Sequence, residues 1–280
     1  MKKTHLPFLS WIIIPILGMW IATNYLVGIF KEPRWTKTQA ENMNMQTMAH
    51  TEGTNEPPSY HWKGEGLITF WFDDAWDSQY FVAFPLLKEK GFKAALAVPS
   101  KAIGWDTYMN WAQVRRLSYQ GWEITAHSRS HECDVARLNT QTLEDELIGS
   151  KEDLKNQGYE VSLYVPPCGV ITPQLLDLVK NHYLGLRTSD TELNLLPVKD
   201  PYNLQIVEVQ TDITLENVKL WINETKINGA WLILMFHKID LSFEQFSTRP
   251  QILKEIINEV QRSKVKVILP SEALNLIDDR

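Results

Sequence analysis

Residues 67–76 read LITFWFDDAW, a run of aliphatic, β-branched and aromatic side chains that stops at two adjacent carboxylates, Asp73 and Asp74. Such a run suits a strand buried on both faces, the situation of a parallel sheet covered by helices. Charge is unexpected there for core packing. Side chains alternate along a strand, so adjacent carboxylates point differently and can take separate roles. Capping the next helix is the plainer use for the pair, one that Asp77 and Ser78 could also fill.

The same grammar repeats along the chain. Short apolar runs at 67–72, 93–98, 122–126, 161–165, 184–187, 204–209, 230–236 and 265–269 read as strands. Amphipathic segments at 78–90, 111–120, 142–156, 173–181, 215–225 and 243–263 read as helices between them. Alternation of this kind predicts an α/β fold, a distorted (β/α) barrel of about seven to eight parallel strands. Polar residues sit where strands end: Asp73 and Asp74, then His127 to His131 (HSRSH), then Pro166-Pro167-Cys168-Gly169, then Arg187-Thr188-Ser189-Asp190, and His237 after AWLILMF. In a barrel the carboxyl ends of the strands share one face, where such folds place active sites.

Upstream, residues 6–30 carry no Asp, Glu, Lys or Arg, and as a helix about 37 Å long they exceed a hydrocarbon core of roughly 30 Å. They are expected to form a transmembrane anchor after a short tail at 1–5, or an uncleaved signal sequence, since no A-x-A pattern follows the run. Lys2 and Lys3 before the run and Lys31, Arg34 and Lys37 after it leave the orientation open. Residues 31–63 lack periodicity and read as a flexible linker, leaving 64–280 as the folded domain. A net charge of −6 argues against nucleic acid as a partner. The 11 tryptophans suit sugar rings, and suit a core equally well.

His127 and His131, four apart, can aim two imidazoles at one point, and one carboxylate beside them completes three ligands with an open position. An H-x-x-x-H pattern alone is weak evidence of metal; the paired carboxylates strengthen it. The other Asp could then accept a proton. His237, across the same face, is either structural or a general acid for a leaving group.

Together these residues resemble the polysaccharide deacetylases, the NodB-homology family or carbohydrate esterase family four, over about 64–277. The family's T-F-D-D-G corresponds to Thr69–Ala75 with Phe72, Asp73 and Asp74 in register, its H-[ST]-x-x-H to His127–His131 after GWEITA, and its L-x-H to Met235-Phe236-His237. AFPLLKEKGFKAALAV at 83–98 and SKVKVILPSEAL at 263–274 also look like the family. The resemblance implies that Asp73 is the general base, that Asp74, His127 and His131 bind a divalent ion, and that His237 is the general acid. The ion is expected to be zinc, with cobalt, manganese or nickel also suited to two imidazoles and a carboxylate. The third motif, normally R-P-x-Y-G, is here Val165-Pro166-Pro167-Cys168-Gly169. Pro167 and Cys168 then line the substrate, with the Cys168 N–H as an oxyanion donor, and Arg187 replaces the charge lost at Val165. Ala75 stands where the family has Gly, which matters if that turn needs positive φ. Trp76 and Trp105 are expected as sugar-stacking platforms, although either could simply pack its loop.

The function so implied is N-deacetylation of a surface or cell-wall amino-sugar polymer by a monomeric catalytic domain, anchored at the cell membrane on the extracytoplasmic side. O-acetyl esterase activity on polysaccharide, or a degenerate polysaccharide-binding member, are the alternatives. An oxidising exterior would allow a Cys133–Cys168 bridge closing a 35-residue separation, worth roughly 3–4 kcal/mol. Two unrelated thiols fit the sequence as well.

Overall fold

The computed structural model describes residues 60–278. The expected anchor at 6–30, and the linker up to residue 59, lie outside the described residues. Among the described residues no helix is long and apolar enough to cross a membrane.

Seven parallel strands close a ring: β2 (Leu67–Phe72), β3 (Ala95–Val98), β4 (Glu123–Ala126), β5 (Leu163–Tyr164), β6 (Gly185–Thr191), β7 (Leu204–Glu208) and β8 (Trp231–Phe236). They are numbered after β1 (Tyr60–Trp62), and they pair in sequence order, with β8 returning to β2 over all six residues. The expected eighth strand is only β11 (Lys266–Val267), which pairs with the first half of β2 where β3 pairs only with the second half. It fills a gap in the ring wall. The strand expected at 161–165 shrinks to two paired residues, Leu163 and Tyr164.

Alternation within the strands sorts the core into two layers. Leu67, Trp71, Ala95, Ala97, Leu163, Val165, Leu204, Ile206, Trp231, Ile233 and Met235 fill the inside of the ring. Ile68, Phe70, Phe72, Leu96, Val98, Leu186 and Leu234 face outward against the helices. Thr69, buried among the inner residues, donates to Ile268 O at 2.7 Å and accepts from Trp231 Nε1 at 2.9 Å, so its hydroxyl is satisfied.

The helices are α1 (Phe84–Glu89), α2 (Trp111–Tyr119), α3 (Thr140–Glu144), α4 (Ser150–Asn156), α5 (Pro173–His182), α6 (Leu215–Asn228), α7 (Pro250–Ser263) and α8 (Pro270–Leu274). A π turn at Gln79–Ala83 leads into α1, and a second at Asp145–Gly149 joins α3 to α4. The helix expected at 243–263 begins only at Pro250. Proline at the first turn is a start signal, and the chain before it turns at Phe243, with φ 59°, and forms strand β10 (Ser247–Thr248) against β9 (Lys238–Ile239). Part of the expected linker is also ordered: β1 pairs with β12 (Leu276–Asp278), and Trp62 is buried with Leu67 and Trp231.

Candidate active site

The inward parity of each strand runs on past its last residue. On β2 the inward residues Leu67, Thr69 and Trp71 lead to Asp73; on β4 Thr125 leads to His127; on β8 Trp231, Ile233 and Met235 lead to His237. Residues Leu204 and Ile206 on β7 lead to Glu208, and Arg187 on β6 shares the same parity. These side chains therefore meet at the carboxyl mouth of the barrel, in a cavity of about 590 Å³ lined also by Asp74, His131 and Cys168.

Asp74 Oδ1 lies 3.2 Å from His127 Nε2 and 3.0 Å from His131 Nε2. His127 Nδ1 lies 2.8 Å from Val165 O, a carbonyl that can only accept, so Nδ1 carries a proton and Nε2 is the ring nitrogen that meets Asp74. Asp74 Oδ1 is buried without a hydrogen-bond partner. The three ligand atoms lie within 4.8 Å of one another, and two imidazoles with one carboxylate are a donor set for zinc and related divalent ions. These residues fit such an ion. Burial would push the Asp74 carboxyl up, but the neighbouring imidazoles of His127 and His131, and the charge of His237, hold it well below the usual carboxylate range.

Left-handed backbone recurs at this face: φ is 75° at Asp74, 58° at Ala75, 57° at Ser128, 61° at His131 and 54° at Cys168. Such strain concentrates where a site is over-determined by its surroundings. Around His127–His131 the restraint is visible. Ser128 Oγ accepts from His131 N, and Glu146 accepts from Arg129 N, Ser130 N and Ser130 Oγ. Arg129 in turn pairs with Asp145 and Asp153. The positive φ at Ala75 is the conformation for which glycine is the ordinary residue.

Asp73 and Arg187 are both 3% exposed, and Arg187 Nη2 donates to Asp73 Oδ2. The guanidinium also lies 5.4 Å from the centre of the Trp71 ring. Among the described residues Asp73 Oδ1 has no hydrogen-bond partner. At the position where the family has arginine, Val165 is buried inside the ring. His237 Nδ1 lies 3.3 Å from Glu208 Oε1, and its Nε2 lies 4.0 Å from Asp74 Oδ2. Burial would lower the His237 imidazole, but its hydrogen bond to Glu208 and the charges of Asp73 and Asp74 raise it. That favours the protonated form, the one a general acid requires.

Sequence reasoning passed over four residues here. Glu208 was findable by its parity with Leu204 and Ile206. Gln79 depends on a π turn: its Nε2 donates to Asp73 O at 2.6 Å and His237 O at 3.0 Å, joining the ends of β2 and β8. Phe246, half exposed, packs 5.3 Å from the His237 ring, on a segment read as helix. Glu146, which braces the histidine loop, gave no signal. Of the expected stacking residues, Trp76 lines the cavity, but its Nε1 donates to Asp74 Oδ2 at 2.9 Å and its ring meets Tyr108 and Lys238. Trp105 is 57% exposed, packs edge-on against Tyr108 and does not line the cavity. Pro167 is buried, and its neighbour Pro166 lines the cavity instead. Cys133 and Cys168 are joined by a disulfide with Cα atoms 5.5 Å apart.

A family model described as polysaccharide deacetylase matches residues 62–187. A putative polysaccharide deacetylase of Bacillus subtilis, YxkH, is 27% identical over 96 residues, 34% of this chain and 34% of that protein, so the match spans about a third of the relative's length. Among solved structures, a family 4 acetyl xylan esterase from Clostridium thermocellum, in complex with a cobalt ion, aligns with a TM-score of 0.52 at 20% identity, over 74% of this chain and 89% of that one. A pseudoenzyme of the same esterase family from Bacillus anthracis aligns with a TM-score of 0.56 at 16% identity, over 81% and 72%. At these identities the two structures speak for the shared fold alone. With the motif residues gathered at one barrel mouth, the matched segment, residues 62–187, is similar to the polysaccharide deacetylase family.

Proposed function

We propose that this chain is a metal-dependent hydrolase that removes N-acetyl groups from an amino-sugar polymer. The observation that carries the reading is the convergence of Asp74 Oδ1 with His127 Nε2 and His131 Nε2 at 3.2 and 3.0 Å. A divalent ion held by these three, most suitably zinc, would supply Lewis-acid polarisation of the acyl oxygen and a more acidic water.

The remaining steps belong to the protein's own groups. Arg187 holds Oδ2 of Asp73, leaving Oδ1 to take the proton from the attacking water. The Cys168 N–H, at the cavity wall, is the candidate donor to the developing oxyanion, a role that needs no side chain. His237, whose protonated form Glu208 favours, delivers a proton to the departing nitrogen. Acetate and a free amino sugar result.

An ester would pass through the same groups, so N-acetyl and O-acetyl substrates must be compared directly. Acetate release from N-acetylglucosamine oligomers and from acetylated xylan, each supplied with zinc, makes that comparison. Faster release from the first supports the proposal; release from xylan alone assigns an O-acetyl esterase, and none from either assigns a non-catalytic binder. The altered third motif favours the last reading, but the Arg187–Asp73 pair restores the charge that Val165 lacks. Membrane anchoring through 6–30, with an extracytoplasmic monomeric domain, is part of the proposal and rests on the sequence.

A further inference from the structure

We propose that Cys133, Cys168 and His131 form a second metal site, opened by reduction, that takes a soft cation of the zinc or cadmium type. One ligand atom from each of the three lies within 4.8 Å of the others, on the rim of the cavity. His131 and Cys133 share one loop, and Cys168 comes from the loop after β5, already within bridging distance with Cα atoms 5.5 Å apart. No backbone travel is needed to gather them.

As a disulfide the two sulfurs are not thiolate ligands. Cys168 is exposed and Cys133 half-buried, so a small reductant can reach the bond. With a water-soluble phosphine, the S–S bond breaks and the two electrons pass to sulfur. Phosphorus is oxidised to the phosphine oxide, taking its oxygen from water, whose two protons complete two thiols. Binding a divalent cation then releases both protons, because the thiolate is the ligand. Two thiolates and an imidazole are softer donors than two imidazoles and a carboxylate, so this set prefers zinc or cadmium over manganese.

Both sets draw on one side chain. His131 Nε2 faces Asp74 at 3.0 Å, and turning the ring toward the sulfurs takes a ligand from the other set. Reduction in the presence of a soft cation would therefore empty the site that the proposed hydrolysis needs. The thiolate site depends on the deacetylase reading only for that consequence, and spectroscopy separates the two.

The test is a cadmium titration of the full chain followed by ultraviolet absorption, before and after phosphine reduction and removal of the phosphine. Oxidised protein should show no thiolate-to-metal charge-transfer band. Reduced protein should develop one, saturating at one cation per chain, and His131→Ala should weaken that binding at least ten-fold. Cys133→Ser, or alkylation of the reduced wild-type protein should the variant not fold, should remove the band. Absence of the band in reduced protein would overturn the proposal, as would two cations bound at once with the band present. Failure of the deacetylase reading shows elsewhere, as oxidised, zinc-loaded protein that releases no acetate.

Discussion

Replacing Arg187 by Leu removes the only guanidinium in contact with Asp73 among the described residues and leaves its carboxylate 3% exposed at the barrel mouth. Two charges about 4 Å apart interact by about 4 kcal/mol at an effective dielectric of about 20. Truncating one partner of a buried pair costs about 3–5 kcal/mol, because the survivor stays buried and unpaired. For a domain of this size that lowers Tm by roughly 10 °C. Urea unfolding at neutral pH measures the loss, and Asp73→Asn in the Arg187→Leu background should recover most of it by removing the stranded charge. Turnover should fall by about two to three orders of magnitude with metal content unchanged, since Arg187 touches Asp73 and none of the three ligands. Because Val165 directly follows β5, Arg187 lies on the adjacent β6 and both share the inward parity, the exchange V165R/R187V should return part of the activity. A loss below about 1 kcal/mol in Arg187→Leu, or a rate within a few-fold of wild type, would refute the reasoning.

Three further outcomes follow from the same geometry. His131→Ala should abolish metal binding, whereas Asp73→Asn should keep about one equivalent while losing turnover; elemental analysis distinguishes them, and the reverse pattern would exchange the roles of Asp73 and Asp74. Glu208→Gln should lower kcat about ten- to hundred-fold with little change in KM, as steady-state kinetics on an oligomer would report, because Glu208 acts through His237. Glu123, which accepts from Ser271 N and Oγ, is pushed by burial up to about 7. Its folded state thus binds a proton that the unfolded chain has released, so stability falls as pH rises between about 4.5 and 7. Glu123→Gln should flatten that slope and exceed wild type by about 1–2 kcal/mol at about pH 8 in urea titrations; an unchanged slope would contradict it.

The strand-end reading worked because one physical rule, side-chain alternation, both buries Trp71 and Met235 and aims Asp73 and His237 at the mouth. The same rule carried Arg187 to Asp73. Applied to 204–209 as well, it would have yielded Glu208. What stayed hidden depends on backbone that no periodicity announces: the π turn that carries Gln79, the left-handed turn at Phe243, and the β9–β10 pairing that brings Phe246 over His237. Trp105 shows the opposite failure. Its residue type fits a sugar platform, but its loop packs it against Tyr108 and away from the cavity. Ala75 lies between these cases: the departure from glycine was visible in the sequence, and its cost only in a φ of 58°.

The proposed acetyl hydrolysis depends on a divalent ion held by Asp74, His127 and His131, whose ligand atoms are already gathered. Its most direct test is acetate release from an N-acetylglucosamine oligomer by chelator-stripped, oxidised protein as zinc or cobalt is returned stepwise. Stripped protein should release no acetate, and recovery should saturate near one equivalent per chain. Full activity without metal, or continued inactivity with one equivalent bound, would contradict it.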